Sequence, residues 1–221
     1  MSRRIVTILG AGGWGSALAI LLHNAGSDVR LWTIDNDSAE EINTTHTNSA
    51  YLPDITFSKD IKAFTDPEQA LEHSSVAVIA TPTQFIRPIV GELKPLLRNI
   101  PIVNGAKGIE IGTLKRVSEI LEDAADVNLQ QYVALTGPSH AEESARLKPT
   151  AVVASSKNQD LADFVQQLFS STSFRIYTSD DVIGCELGGA LKNVIAIAAG
   201  VIDGLKVGDN AKAALITRGL A

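Results

Sequence analysis

The chain of 221 residues is 45% hydrophobic and 20% charged, the proportions of a soluble globular protein of one or two domains. Its 19 basic and 25 acidic side chains give a net charge of -6, and the basic ones are dispersed, which argues against a nucleic-acid partner or an anionic membrane surface. A single cysteine, Cys185, excludes an internal disulfide, and the N-terminal "MSRRIVTILGAGGWG" lacks a secretory cleavage pattern, so a cytoplasmic location is expected.

In chain order, "RRIVTILG" (3–10) is a β-branched run ending in glycine, and "GWGSALAILLHNAG" (13–26) has the helical period with a glycine stop. "DVRLWTID" (28–35) is a second strand with an acidic end. Apolar runs at 75–81, 100–108, 132–139, 149–155 and 173–179 then alternate with helical segments at 84–98, 113–124 and 158–170. That rhythm predicts an α/β fold with a parallel, doubly wound sheet and room for a mixed edge.

From about Asp180 the strand signals stop. "VIGCELGGALKNVIAIAAGVIDGL" predicts one long apolar helix, expected to lie in a core, since its most apolar stretch, Val194 to Ile202, is about half the length that crosses a bilayer. Another helix begins near "DNAKAALITRGLA", with Asn210 as its candidate cap, and reaches Ala221 without a stop signal. The expected organisation is a first domain over 1–180 and the beginning of an all-helical substrate domain over 181–221, cut before its end.

Gly10, Gly12 and Gly15 form a GxGxxG turn in "GAGGWG", after the first strand and opening the first helix, the context in which this pattern marks a Rossmann-type dinucleotide site. Gly10 permits the tight turn, Gly12 lets a pyrophosphate approach the backbone, and Gly15 allows the helix to pack on the strand. The helix N-terminus then offers amide hydrogens to the anion. Asp35 lies where an acidic group would take the adenosine ribose hydroxyls, favouring NAD slightly over NADP, although it is equally placed to cap the following helix.

Two lysines stand out. Lys107, in "NGAKGIE", follows a predicted strand at the carboxyl edge of the sheet, where open α/β folds bind ligands. At a neighbouring strand end, "TGPSHAEE" sets Gly137, Pro138 and Ser139 before a helix expected to start at Ser139. Lys192, with Asn193, sits inside the otherwise apolar "GGALKNVIAIAAG". An unpaired ammonium there costs several kcal/mol, roughly, so it needs an anionic partner, an open cleft or a lowered pKa.

"GAGGWGSALA", "AKGIE", "LTGPSHAEE" and the lysine helix through "NAKAALITRGLA" together resemble the NAD(P)-dependent glycerol-3-phosphate dehydrogenases of the bacterial type. The resemblance runs from Ile5 to Ala221 and covers the N-terminal portion of such enzymes, which are commonly homodimers at full length. It implies interconversion of sn-glycerol 3-phosphate and dihydroxyacetone phosphate, a phosphorylated small-molecule substrate, for glycerophospholipid synthesis. Lys192 corresponds to the proton acceptor, with Asn193 beside it, and Lys107 to a lysine touching both substrate and nicotinamide. Gly137 and Ser139 match substrate contacts. Gly13, Trp14, Ile34, Asp35 and Ala141 match cofactor contacts, and Ile34 stands where many relatives carry a cation, which weakens the case for NADP. Desolvation on an apolar helix and the neighbouring Lys107 would lower the pKa of Lys192 and suit it to proton transfer.

Trp32 reads as filling between sheet and helices, Cys185 as a core residue, and His140 as exposed. The histidines show no metal-ligand spacing, so no metal is expected. Two rival functions remain at this level. Hydroxyacid dehydrogenases of related architecture space their lysine and asparagine about one helical turn apart, whereas Lys192 and Asn193 are adjacent. A non-catalytic dinucleotide-binding fragment is the other.

Overall fold

The computed structural model describes residues 3–219, so Leu220 and Ala221, the end of the last motif, and Met1 and Ser2 of the expected first domain lie outside the described residues. The strands are β1 (Ile5–Leu9), β2 (Asp28–Trp32), β3 (Lys62–Phe64), β4 (Val76–Ile79), β5 (Ile102–Asn104), β6 (Tyr132–Thr136), β7 (Thr150–Ser155) and β8 (Phe174–Ser179). The helices are α1 (Gly13–Asn24), α2 (Asn36–Thr44), α3 (Pro67–Leu71), α4 (Thr83–Leu97), α5 (Val117–Ala125), α6 (Ala141–Ala145), α7 (Gln159–Phe169), α8 (Val182–Gly204) and α9 (Asp209–Gly219).

The strands form one sheet in the order β3-β2-β1-β4-β5-β6-β7-β8. All neighbours are parallel except β6 and β7, the mixed edge allowed by the sequence. Alternation along the central strands feeds two cores. Val6 and Ile8 of β1, Val76 and Val78 of β4, and Val133 and Leu135 of β6 pack on the side of α1 and α7. Leu9, Ala77, Ile79 and Ala134 pack on the other side, against the Ile86, Val90, Leu93 and Leu97 stripe of α4 and against α5. Because both faces are covered, β1 and β4 read as continuous apolar runs rather than alternating ones. The chain winds outward from β1 in one direction to β3 and in the other from β4, so the carboxyl ends of β1 and β4 form the topological switch point.

Several local expectations change. The helix predicted from 113 starts at Val117. The preceding stretch is a loop with Gly108, Gly112 and Leu114 at positive φ. It is tied to α4 by Gln84, which donates to the Ile109 carbonyl and accepts from the Ile111 amide (both 2.9 Å), and by Arg87, whose guanidinium donates twice to Glu110 at 2.8 Å. The helix expected from Ser139 begins at Ala141. Asn210 is the second residue of α9 rather than its cap.

α8 departs furthest from expectation. It is 23 residues long, enough by length and composition to cross a bilayer, which the shorter stretch from Val194 did not predict. It is also not a core helix: only Val182 and Glu186 are buried, while Leu191, Val194, Ile197 and Val201 are exposed. Among the described residues it packs mainly on α9 and on β6, which leaves the rest of its circumference open. Cys185 is accordingly half-buried.

Candidate active site

The glycine turn is built by close approach. Gly10, with φ of 121°, donates its amide to the Trp32 carbonyl at 2.9 Å, and a Cβ there would come within 2.9 Å of the Thr81 hydroxyl. The turn is thus clamped between the ends of β2 and β4. A Cβ on Gly15 would run into the Gly10 carbonyl oxygen, so α1 can begin this close to β1 only with glycine at that position. Gly12 caps α1 without a side-chain acceptor, and nothing lies within 4 Å of where its Cβ would stand. The first amides of α1 are thus not taken by a side-chain cap, which leaves them available to an anion. Behind the turn, the buried Asn48 side chain donates to the Ala11 carbonyl (2.7 Å) and to the Ser16 hydroxyl (2.9 Å).

A cleft of about 650 Å³ opens at this switch point. Of the residues predicted from sequence, Gly10, Gly12, Gly13, Trp14, Ile34, Asp35, Lys107, Ser139 and Lys192 line it together. Gly15 does not, because it sits beneath the turn. Gly137 stands back from the wall, its carbonyl turned to Lys107. Ala141 packs against the core next to α1, near Gly13. Asn193 reaches the site only through Lys192, whose ammonium donates to its Oδ1 at 2.8 Å. The sequence reading missed Thr33, Tyr51, Thr81, Pro82 and Gly105. For Thr81 and Pro82 the signal was present in "ATPT" at the end of the third predicted strand; Tyr51 lies in an irregular segment with no pattern to read.

Asp35 fulfils the capping alternative: its carboxylate accepts from the Asp37 amide (3.2 Å) and the Ser38 hydroxyl (2.5 Å), and the Ser38 bond holds its carboxyl below the usual value. It nevertheless faces the cleft at the end of β2, beside the exposed Ile34. Trp32 is buried in the second core, with its indole N–H bonded to the Thr65 carbonyl. Trp14 leans on the first core while lining the cleft.

Both lysine side chains converge on the cleft from different elements, Lys107 from the loop after β5 and Lys192 from α8. Lys107 is the enclosed one. Its ammonium donates to the Gly137 carbonyl (2.8 Å) and the Ser139 hydroxyl (2.7 Å), and burial, followed by the neighbouring Lys192 charge, pulls its pKa below the ordinary lysine value. Lys192 is exposed, where the apolar helix had led to the expectation of a buried side chain.

The arrangement is a helix N-terminus suited to an anion, a carboxylate just past the end of the second strand, and two lysine side chains, all lining the same cleft. The family described as NAD-dependent glycerol-3-phosphate dehydrogenase N-terminus matches residues 5–162, and the corresponding C-terminus description matches residues 181–221. The chain is 51% identical over 217 residues to a glycerol-3-phosphate dehydrogenase (NAD(P)+) of Oceanobacillus iheyensis, covering 98% of this chain and 63% of that protein. It is 50% identical to the enzyme of the same name from Lysinibacillus sphaericus, covering 98% and 64%. The crystal structure of glycerol-3-phosphate dehydrogenase from Coxiella burnetii superposes with a TM-score of 0.89 at 37% identity, over 98% of this chain and 66% of that one. The chain thus spans a little under two thirds of the length of these relatives. With its N-terminal match covering most of the fold and the glycine turn, it belongs to the NAD-dependent glycerol-3-phosphate dehydrogenase family.

Proposed function

We propose that this chain carries the cofactor-binding half and the two lysines of an enzyme that interconverts dihydroxyacetone phosphate and sn-glycerol 3-phosphate. The observation that carries the reading is the meeting of Lys107 and Lys192 in the cleft that begins at the glycine turn. On this reading residues 1–180 form the dinucleotide-binding domain and 181–221 open the all-helical substrate domain. The whole protein is a cytoplasmic homodimer serving glycerophospholipid synthesis, and neither nucleic acid nor membrane is a partner.

The residues fit a nicotinamide dinucleotide: Gly12 leaves open space before the α1 amides, and Asp35 stands at the end of β2. Bound there, the cofactor supplies the hydride. Asp35 accepts from the ribose hydroxyls with whatever lone pairs its cap leaves free, and its negative charge, with Ile34 in place of a cation, disfavours a 2'-phosphate. NAD is therefore the preferred form.

In the reductive direction the carbonyl carbon takes the hydride while its oxygen gains negative charge and then a proton. Lys192, exposed to the cleft, donates that proton and in reverse accepts it. Lys107, fixed by Gly137 and Ser139, holds the developing oxyanion and the substrate in register. The adjacent Asn193 holds the Lys192 ammonium at 2.8 Å, which limits the range of its long side chain.

The test is NADH oxidation with dihydroxyacetone phosphate, in this chain and in a full-length version, for the parent and for Lys192→Ala. Loss of about 100-fold or more in turnover, with the NADH dissociation constant unchanged within about three-fold, is the expected result. Turnover within a few-fold of the parent overturns the role of Lys192.

A further inference from the structure

Glu186 lies on α8, six residues before Lys192, and is buried although it is a carboxylate on a helix where Val182 is the only other buried residue. Four groups donate to it: the Ser118 amide (2.8 Å), the Ser118 hydroxyl (2.6 Å), the Arg116 guanidinium (2.9 Å) and the Tyr132 hydroxyl (2.8 Å). A buried ion with fewer partners would destabilise the fold, so this complement is what permits a charge here.

The bonds continue beyond the carboxylate. Tyr132 is fully buried at the start of β6 and its hydroxyl accepts from Asn104 at 3.0 Å. Burial, then the Glu186 charge, pushes the tyrosine well up from its ordinary pKa, so its hydroxyl stays a donor. Asn104 closes β5 and grips the next turn on both sides, accepting from the Ala106 amide (2.9 Å) and donating to the Ala106 carbonyl (3.2 Å). Lys107 is the next residue. One turn after Glu186, Gly189 brings α8 so near that a Cβ there would come within 2.8 Å of the Thr136 hydroxyl and 3.6 Å of Lys107 Cγ. The space left along this seam is only about 10 Å³, at the lower limit of what one water needs.

We propose that Glu186 is a positioning residue: through Tyr132 and Asn104 it locks α8 and the Lys107 loop to each other, so that the two lysines reach the cleft at a fixed separation. The proposal rests on the lysine pair being the working pair, as read above. Nothing in the proton-transfer chemistry uses Glu186 itself, and its charge is enclosed by Arg116, Tyr132 and Ser118 and flanked on α8 by Cys185.

The test uses the whole chain without substrate. Competitive acylation at graded pH, read by mass spectrometry, reports the titration of Lys107, and the single thiol of Cys185 reports on the α8 seam. In Glu186→Gln an amide replaces one acceptor with a donor that faces donors, so α8 loosens. The Lys107 midpoint then rises toward the ordinary lysine value of about 10.4, and Cys185 reacts about ten-fold faster or more. Tyr132→Phe removes one donor only, gives the same direction of change, and answers the question if Glu186→Gln does not fold. Ile8→Ala, which weakens the sheet core far from the seam, lowers the melting temperature without moving either readout. A Lys107 midpoint and a Cys185 rate unchanged in both Glu186→Gln and Tyr132→Phe overturn the proposal, as does an equal movement in Ile8→Ala. A parent chain that binds NADH but reduces no dihydroxyacetone phosphate, even at full length, counts against the dehydrogenase reading and leaves the labelling result standing, because no substrate enters it.

Discussion

β1 and α8 are both apolar, yet they meet opposite surroundings. β1 is covered on both faces, and Val6, Ile8 and Leu9 are wholly buried. α8 is also rich in apolar residues but, among the described residues, meets the sheet layers only near its start, through the buried Val182, the polar attachment at Glu186 and the close approach at Gly189, while Ile197 is 69% exposed. Apolar composition thus sets what a segment can bury, and the neighbours available set what it does bury. In this chain burial is concentrated in the sheet layers, whereas Lys192 sits on a helix joined to them near its N-terminal end.

That contrast breaks most visibly by truncation. Ile8→Ala should cost about 2–5 kcal/mol in denaturant unfolding, because a cavity forms between α1 and the sheet. An equal cost at Ile197→Ala, where this chain should lose less than about 0.5 kcal/mol, would erase the distinction. Next in size is Gly15→Ala, where the new methyl meets the Gly10 carbonyl. It should cost about 1–3 kcal/mol and weaken NADH binding about ten-fold or more in a fluorescence titration, by displacing the α1 amides. The loop that carries Lys107 gives the smallest effect. Glu110 is held below its ordinary carboxyl pKa first by Arg87 and then by Thr113. Its folded value is depressed, so the stabilisation is complete above the unfolded value of about 4.3 and is lost as pH falls through the lower folded value. Glu110→Gln should remove about 1–2 kcal/mol at neutral pH and flatten the acid limb of a stability–pH profile, since the pair is only partly shielded from solvent.

Much of the fold was legible because its central strands are apolar, largely β-branched runs, and the GxGxxG turn pointed to the end of the sheet where the cleft opens. What escaped was short or tertiary. β3 and α3 span three and five residues, too few for a period to show. The stretch 113–116 looks helical by composition, but Glu110 binds it as a loop, accepting from the Thr113 hydroxyl and the Leu114 amide and donating to the Lys115 carbonyl. Asp35 carried both of its possible roles in the sequence, and the cap was decided only by where α2 begins. The lysines were found through the motifs around them. Asn48 and Glu186 were not, since a polar residue buried by partners 32 to 70 positions away leaves no local trace.

Lys107 gives its ammonium a direction. Two of the three N–H groups of that ammonium are already engaged, by a carbonyl and a hydroxyl in the turn that follows β6. One hydrogen remains for a further partner, and the two bonds already made restrict where it can point. The side chain therefore behaves as a held donor instead of a freely swivelling positive charge, in contrast to the exposed Lys192 across the same cleft.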